Sequence, residues 1–209
     1  MEYVVAAPFN PYSKQLGQTD KEQRFAMMAA GIIRLLRGLP APSDAIPGPY
    51  TTSPDKAFIN HMIFKDQIAP TVYSDVAESE AHLNRVLAKG LKYRDKDPPV
   101  VRLDTKLVFC HTDFNDENYL FDTHNGRLRL HMIDFEHSSF LPIDFFAFAI
   151  LMDGDWGAEQ STGRSVGIPA RCLTNMPLMG EIQGIFTVYV PTVGQMSDRA
   201  LLKHEIIQR

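Results

Sequence analysis

The 209 residues carry 21 Lys and Arg against 25 Asp and Glu, a formal charge of −4, with 44% hydrophobic and 22% charged residues. That length supports one sizeable core, and the composition excludes a chain disordered throughout. No basic run could neutralise a phosphate backbone and the only cysteines are Cys110 and Cys172, so neither a nucleic-acid partner nor a disulfide framework is expected, and a reduced, cytoplasmic setting fits best.

In chain order, Met1-Glu-Tyr-Val-Val5 predicts a short strand that enters a loop at Pro8 and Pro11. Glu2 replaces the basic residue of a leader and Pro8 interrupts the apolar stretch, so no secretory signal is expected, and a chain that opens inside a strand reads as cut. Thr19 with Glu22 three residues on predicts a capping box, followed by an apolar stripe through Phe25, Met28, Ile32, Leu35, Leu36 and Leu39. Gly38 and Pro40 end that helix. Residues 40–56 contain five prolines and predict a long loop, with a mixed segment from Lys56 to Val72 after it. Ser74 is the expected N-cap of a second helix, which buries Val76, Leu83, Val86 and Leu87 and stops at Gly90.

Leu107 to Cys110 reads as a buried strand, in which Cys110 is a small core residue rather than a nucleophile. Asn118 to Phe121 and Arg127 to Ile133 read as hairpin strands about Asn125-Gly126, with Leu128, Leu130 and Met132 on one face. Pro142 beside Asp144 opens a helix through Phe145, Phe148, Ala149 and Met152. Its apolar run, Phe145 to Met152, is far shorter than the ~20 residues of a membrane helix, so no membrane partner is expected. Residues 154–196 mix Gly, Pro, Ser and Thr and receive no assignment, and Ser197 to Gln208 predicts one more capped helix.

The chemistry concentrates in His111-Thr-Asp113-Phe-Asn-Asp-Glu-Asn118 and in Asp134. Centring the hairpin turn between Asn125 and Gly126 sets Asn118 opposite Ile133, one step from Asp134, and directly opposed Cβ atoms lie about 5 Å apart. Asn118 and Asp134 can therefore share one ion, while Asp113 leans over the same spot from a short loop. A carboxylate that orients and deprotonates a hydroxyl, beside hard oxygen ligands for Mg²⁺ on phosphates, is the equipment of phosphoryl transfer. An amide oxygen next to a carboxylate suits magnesium better than zinc, and a zinc site from His111, Asp113 and His131 lacks a typical spacing.

His111-x-Asp113-x-x-x-x-Asn118 resembles the catalytic-loop motif shared by protein kinases and aminoglycoside phosphotransferases, and Ile133-Asp134-Phe135-Glu136 resembles the metal-binding Asp segment that follows it. The lack of an Arg before Asp113 is similar to the small-molecule branch, which includes the choline-kinase-like enzymes. The resemblance covers roughly residues 107–150. It implies an α+β, mainly helical fold, the C-terminal lobe of a protein-kinase-like enzyme with a small catalytic β-hairpin. It further implies ATP and Mg²⁺ as cofactors and a small-molecule hydroxyl acceptor as partner. Asp113 would be the catalytic base, Asn118 and Asp134 the magnesium ligands, His111 a support of the loop, and Asp144 a structural brace of it. Met1 to Val4 resembles the hinge strand between lobes, where backbone groups of Glu2 and Val4 would meet adenine.

On that basis residues 1–5 form a hinge-like strand, 6–156 the lobe, and 157–209 an unassigned tail. The chain departs from the family at Thr112, where Gly is usual, and at Asp116-Glu117, where Pro-Gly is common. Such kinases also cover ATP with a strand-rich lobe that supplies a glycine loop and a lysine. Nothing before Met1 forms it, so the expectation is a truncated phosphotransferase. The alternative is a non-catalytic, pseudokinase-like remnant or binding module, self-associating through its exposed lobe surface.

Overall fold

The computed structural model describes residues 6–8, 17–152 and 168–188. Helix α1, Gln18–Gly38, starts at Gly17, whose backbone is extended and which supplies no side-chain cap. Thr19 lies inside the first turn, so the expected capping box at Thr19 does not form. Met28 and Ile32 of the expected stripe are buried and Phe25 and Leu36 pack against them, whereas Leu39 lies past the helix end, 43% exposed, and closes the helix through its N–H to the Leu35 carbonyl. Helix α2, Val76–Lys89, is capped one residue later than expected, by Asp75. The Asp75 carboxylate accepts from the Glu78 N–H at 2.7 Å, and Glu78 Oε2 accepts from the Ser74 N–H at 2.7 Å and its hydroxyl at 2.8 Å. Ser74 serves as the donor side of the cap, and Gly90 ends the helix.

Strand β1 is Ala7–Pro8, β2 Leu107–His111, β3 Tyr119–His124, β4 Arg127–Met132 and β5 Ser138–Pro142. They form two antiparallel sheets, ordered β1-β3-β4 and β2-β5. Pro8 was expected to break a strand at residues 1–5, yet it lies in β1 opposite Leu120, at a sheet edge where its missing N–H removes no interior bond. The expected strand at residues 1–5 itself lies outside the described residues. The hairpin turn has Asn125 at φ 50° and Gly126 at φ 70°, the left-handed pair of a type I′ turn whose twist matches the flanking strands.

Helix α3, Ile143–Met152, follows β5 directly and is buried on nearly all sides, and α4, Ala170–Val188, packs on α2 and α3. Residues 170–188 carry no clear helix signal, because Pro177, Gly180 and Gly184 read as breakers. Burial of Cys172, Met179, Ile182 and Phe186 overrides that local signal. The main core joins Phe64, Tyr73, Leu83, Leu87, Phe145, Phe148 and Phe186, so both helices before the site and α4 after it share one interior. Lys92 Nζ and Tyr93 Oη each bond Glu181 at 2.6 Å, fastening the end of α2 to α4. Among the described residues the result is an α+β fold of four α-helices and two small sheets, with no described helix long and apolar enough to cross a membrane.

The two sheets meet where the chemistry-bearing residues lie. α1 runs over β4 so closely that a Cβ on Gly31 would stand 3.0 Å from the Leu130 side chain and 3.3 Å from Met132. That places Leu130 and Met132 on the face packed against α1 and leaves the open end of the hairpin beside the end of β2.

Candidate active site

β2 delivers His111 to a buried position, 3% exposed, with its ring 5.2 Å from Phe135 and 6.5 Å from Phe114. Burial lowers the imidazole's pKa, and the nearby carboxylates of Asp113 and Asp134 oppose that shift. Both acids are therefore close enough to His111 for their charges to act on it. His111 Nδ1 lies 3.4 Å from Ser138 Oγ, the first residue of β5.

The loop after β2 is held by short polar side chains. Thr112 Oγ1 donates to the His137 carbonyl at 3.1 Å, tying the loop to the segment that follows Asp134. The Asp113 carboxylate accepts from the Asn115 N–H at 3.2 Å, and the Asn115 side chain accepts from the Glu117 N–H at 3.1 Å. These are consecutive Asx turns, which Asp and Asn favour because a short acceptor reaches the N–H two residues on. Asn115 also accepts the Asn118 N–H on its carbonyl at 2.9 Å, which closes a 3₁₀ turn and feeds Asn118 into β3.

Pairing of Tyr119 with Met132 reproduces the register that the Asn125-Gly126 turn implies. One step outward, the Asn118 carbonyl accepts the Ile133 N–H at 3.0 Å, so Asn118 stands opposite Ile133 and one residue from Asp134. Asn118 is 6% exposed, and its amide Nδ2 is buried without a hydrogen-bond partner among the described residues. Asp134 is exposed and left-handed, at φ 58° and ψ 64°, at the entrance to the short turn Phe135–His137. Non-glycine residues rarely adopt that backbone, although Asp and Asn tolerate it best.

Asp144 lies fully buried in the first turn of α3. Its carboxylate accepts from the Asp104 N–H at 2.8 Å and from Asn175 Nδ2 at 2.8 Å. These bonds brace the segment leading into β2 and join it to α4, whereas the resemblance implies a brace of the 111–118 loop itself. Glu2 and Val4 lie outside the described residues. Among the described residues no group of three or more His, Cys, Asp and Glu side chains gathers as a metal site, which leaves the His111, Asp113, His131 arrangement without support. His131 Nε2 instead lies 3.4 Å from Asp122. Cys110 is fully buried and burial pushes its thiol pKa up, in keeping with a core role. Sequence reasoning missed Thr112 and Asn115 as organisers of the loop; the two-residue spacing of Asp113, Asn115 and Glu117 is the signal that marks the Asx turns.

What the residues offer chemically is an oxygen-rich end of a hairpin, in which a buried amide and an exposed carboxylate stand just beyond the ends of the facing strands, with a second carboxylate on the adjoining loop. Such hard oxygen donors suit Mg²⁺. No family model matches the chain, and no solved structure matches it. A curated protein, the CDPK-related kinase 8 of Arabidopsis thaliana, is 29% identical over 89 residues, covering 39% of this chain. The chain spans about 15% of that relative's length. Part of this chain is thus similar to part of a kinase.

Proposed function

We propose that this chain carries the phosphoryl-transfer residues of an ATP- and Mg²⁺-dependent phosphotransferase of the aminoglycoside phosphotransferase type, acting on a hydroxyl of a small acceptor. The observation that carries this reading is the juxtaposition of Asn118, buried and opposite Ile133 through the Ile133 N–H to its carbonyl, and Asp134, held left-handed one residue further on. The partial likeness to a kinase points the same way.

Asn118 and Asp134 are the residues that would hold Mg²⁺, which when bound would supply positive charge against the transferring phosphoryl group. Asp113, positioned by its bond from the Asn115 N–H, orients the acceptor hydroxyl and takes its proton. The acceptor oxygen forms a bond to the γ-phosphorus as the bond from that phosphorus to ADP breaks. His111 keeps the loop seated on Phe135 and Ser138.

Isothermal titration of the full chain with MgATP, followed by an ADP-release assay with a panel of hydroxylated acceptors, tests this. Asp134→Asn keeps the shape and tolerates the left-handed backbone while removing the charge, and should weaken MgATP binding at least tenfold. Asp113→Asn should leave binding nearly unchanged and lower turnover about 10²–10⁴-fold, the usual contribution of a general base. A folded chain that binds MgATP without turnover would instead favour a binding module. A folded chain that binds no MgATP would remove the reading.

A further inference from the structure

A second concave site lies at the opposite end of β2, between the last turn of α1, residues 39–45, the start of β2 and the first residue of α3. Its volume is about 640 Å³, within the roughly 300–1,000 Å³ of small-molecule sites. Leu36, Pro40, Val108 and Ile143 supply apolar walls, and the Pro40–Val108 bridge fixes one of them. The charged residues lining it are Arg37 and Lys106, and no carboxylate lines it, a local reversal in a chain of net charge −4.

Both cations are exposed, and neither side chain makes an ion pair among the described residues. The acids nearest them in sequence are engaged elsewhere: one Asp104 oxygen accepts the Lys106 N–H at 2.9 Å and the other pairs with the Arg171 guanidinium, and Asp44 accepts from the Tyr50 hydroxyl at 3.4 Å. An apolar pocket with two uncommitted cations is complementary to a molecule with an apolar body and one anionic end. We propose that this cavity binds a free amphipathic monoanion, a carboxylate with an unbranched apolar tail.

Two cations are fewer than the four to eight that mark binding to an anionic membrane surface, and the overall negative charge opposes such binding. A concave site of this size also selects a single molecule over a flat bilayer. The cavity is separate from the candidate active site, since β2 runs from Leu107 at the cavity to His111, a distance of about 13 Å at the rise of an extended strand. The proposal therefore stands apart from the phosphotransferase reading.

Titration of the full chain with sodium decanoate and, separately, with 1-decanol tests it. Decanoate is expected to bind saturably, one per chain, and at least tenfold more tightly than the alcohol. The double variant R37Q/K106Q, altered only at exposed positions, should weaken decanoate about tenfold and leave decanol unchanged, with an unaltered thermal midpoint. Ala41→Trp, which fills the cavity, should abolish both. No saturable binding, or equal decanoate affinity in the double variant, overturns the proposal. Sedimentation with phosphatidylserine vesicles in the absence of decanoate binding would assign the two cations to a membrane surface and overturn it equally.

Discussion

His61 shows how far one buried titratable residue can set the pH response. It is fully buried; its Nε2 lies 2.9 Å from the Phe145 carbonyl, and its Nδ1 accepts the Ile63 N–H at 3.1 Å. With Nδ1 already an acceptor, the neutral ring carries its proton on Nε2 and donates it to Phe145. Burial outweighs that bond and lowers the pKa from 6.5 to about 4. The unfolded chain therefore takes up a proton at His61 as pH falls below 6.5, while the native state resists until about 4, so stability is full above 6.5 and is lost through that window. Between pH 7.5 and pH 5 the loss from His61 should be roughly 2 kcal/mol, read from urea midpoints. His61→Gln should begin less stable at pH 7.5 and show a shallower decline, and an unchanged slope would remove His61 as the cause. Little of this was legible in the sequence, where nothing near His61 distinguishes a core imidazole from a surface one. By contrast, the nearness of Asn118 to Asp134 could be read from spacing alone, because a two-residue I′ turn transmits register without help from the rest of the fold.

At the scale of elements, local signals locate the helices and strands more securely than their ends. The N-terminus of α2 illustrates the point, since both Ser74 and Asp75 are capping residues and only the geometry assigns Asp75 the cap. Asp75→Ala should cost about 1 kcal/mol, measured by denaturant unfolding, because it orphans the Glu78 N–H in the first turn. Ser74→Ala should cost less, since its backbone N–H still meets Glu78. β5 was not anticipated because Ser-Ser-Phe-Leu-Pro has weak strand propensity; pairing with β2 and the bridge from Gly48 to Phe140 hold it. Gly48 is required there, having φ 139° and standing where a Cβ would lie 2.3 Å from the Ala57 carbonyl oxygen.

At the scale of the molecule, Asp144 links three distant stretches of chain: the entry to β2, the start of α3 and the middle of α4. Asn175 completes the link by bonding the backbone of Arg102 through both ends of its amide, at 3.2 and 2.7 Å. Asp144→Ala should destabilise the fold by roughly 2–4 kcal/mol, since it leaves buried donors unsatisfied. If the brace acts on β2 and α4 as its bonds indicate, MgATP affinity per folded molecule should change less than twofold in a calorimetric titration. A parallel loss of affinity would mean that the brace reaches the 111–118 loop.

Sequence by itself determined the buried core of the α1 and α2 stripes, the hairpin register and the placing of Asn118 one step from Asp134, because each depends on periodicity or on a turn only a few residues long. Tertiary structure alone decided that α4 is a helix despite Pro177, that β5 pairs with β2, that Asp144 braces Asp104 and Asn175, and that Arg37 and Lys106 line one apolar cavity. Each of those joins residues far apart in the chain, where packing and buried hydrogen bonds outweigh local propensity.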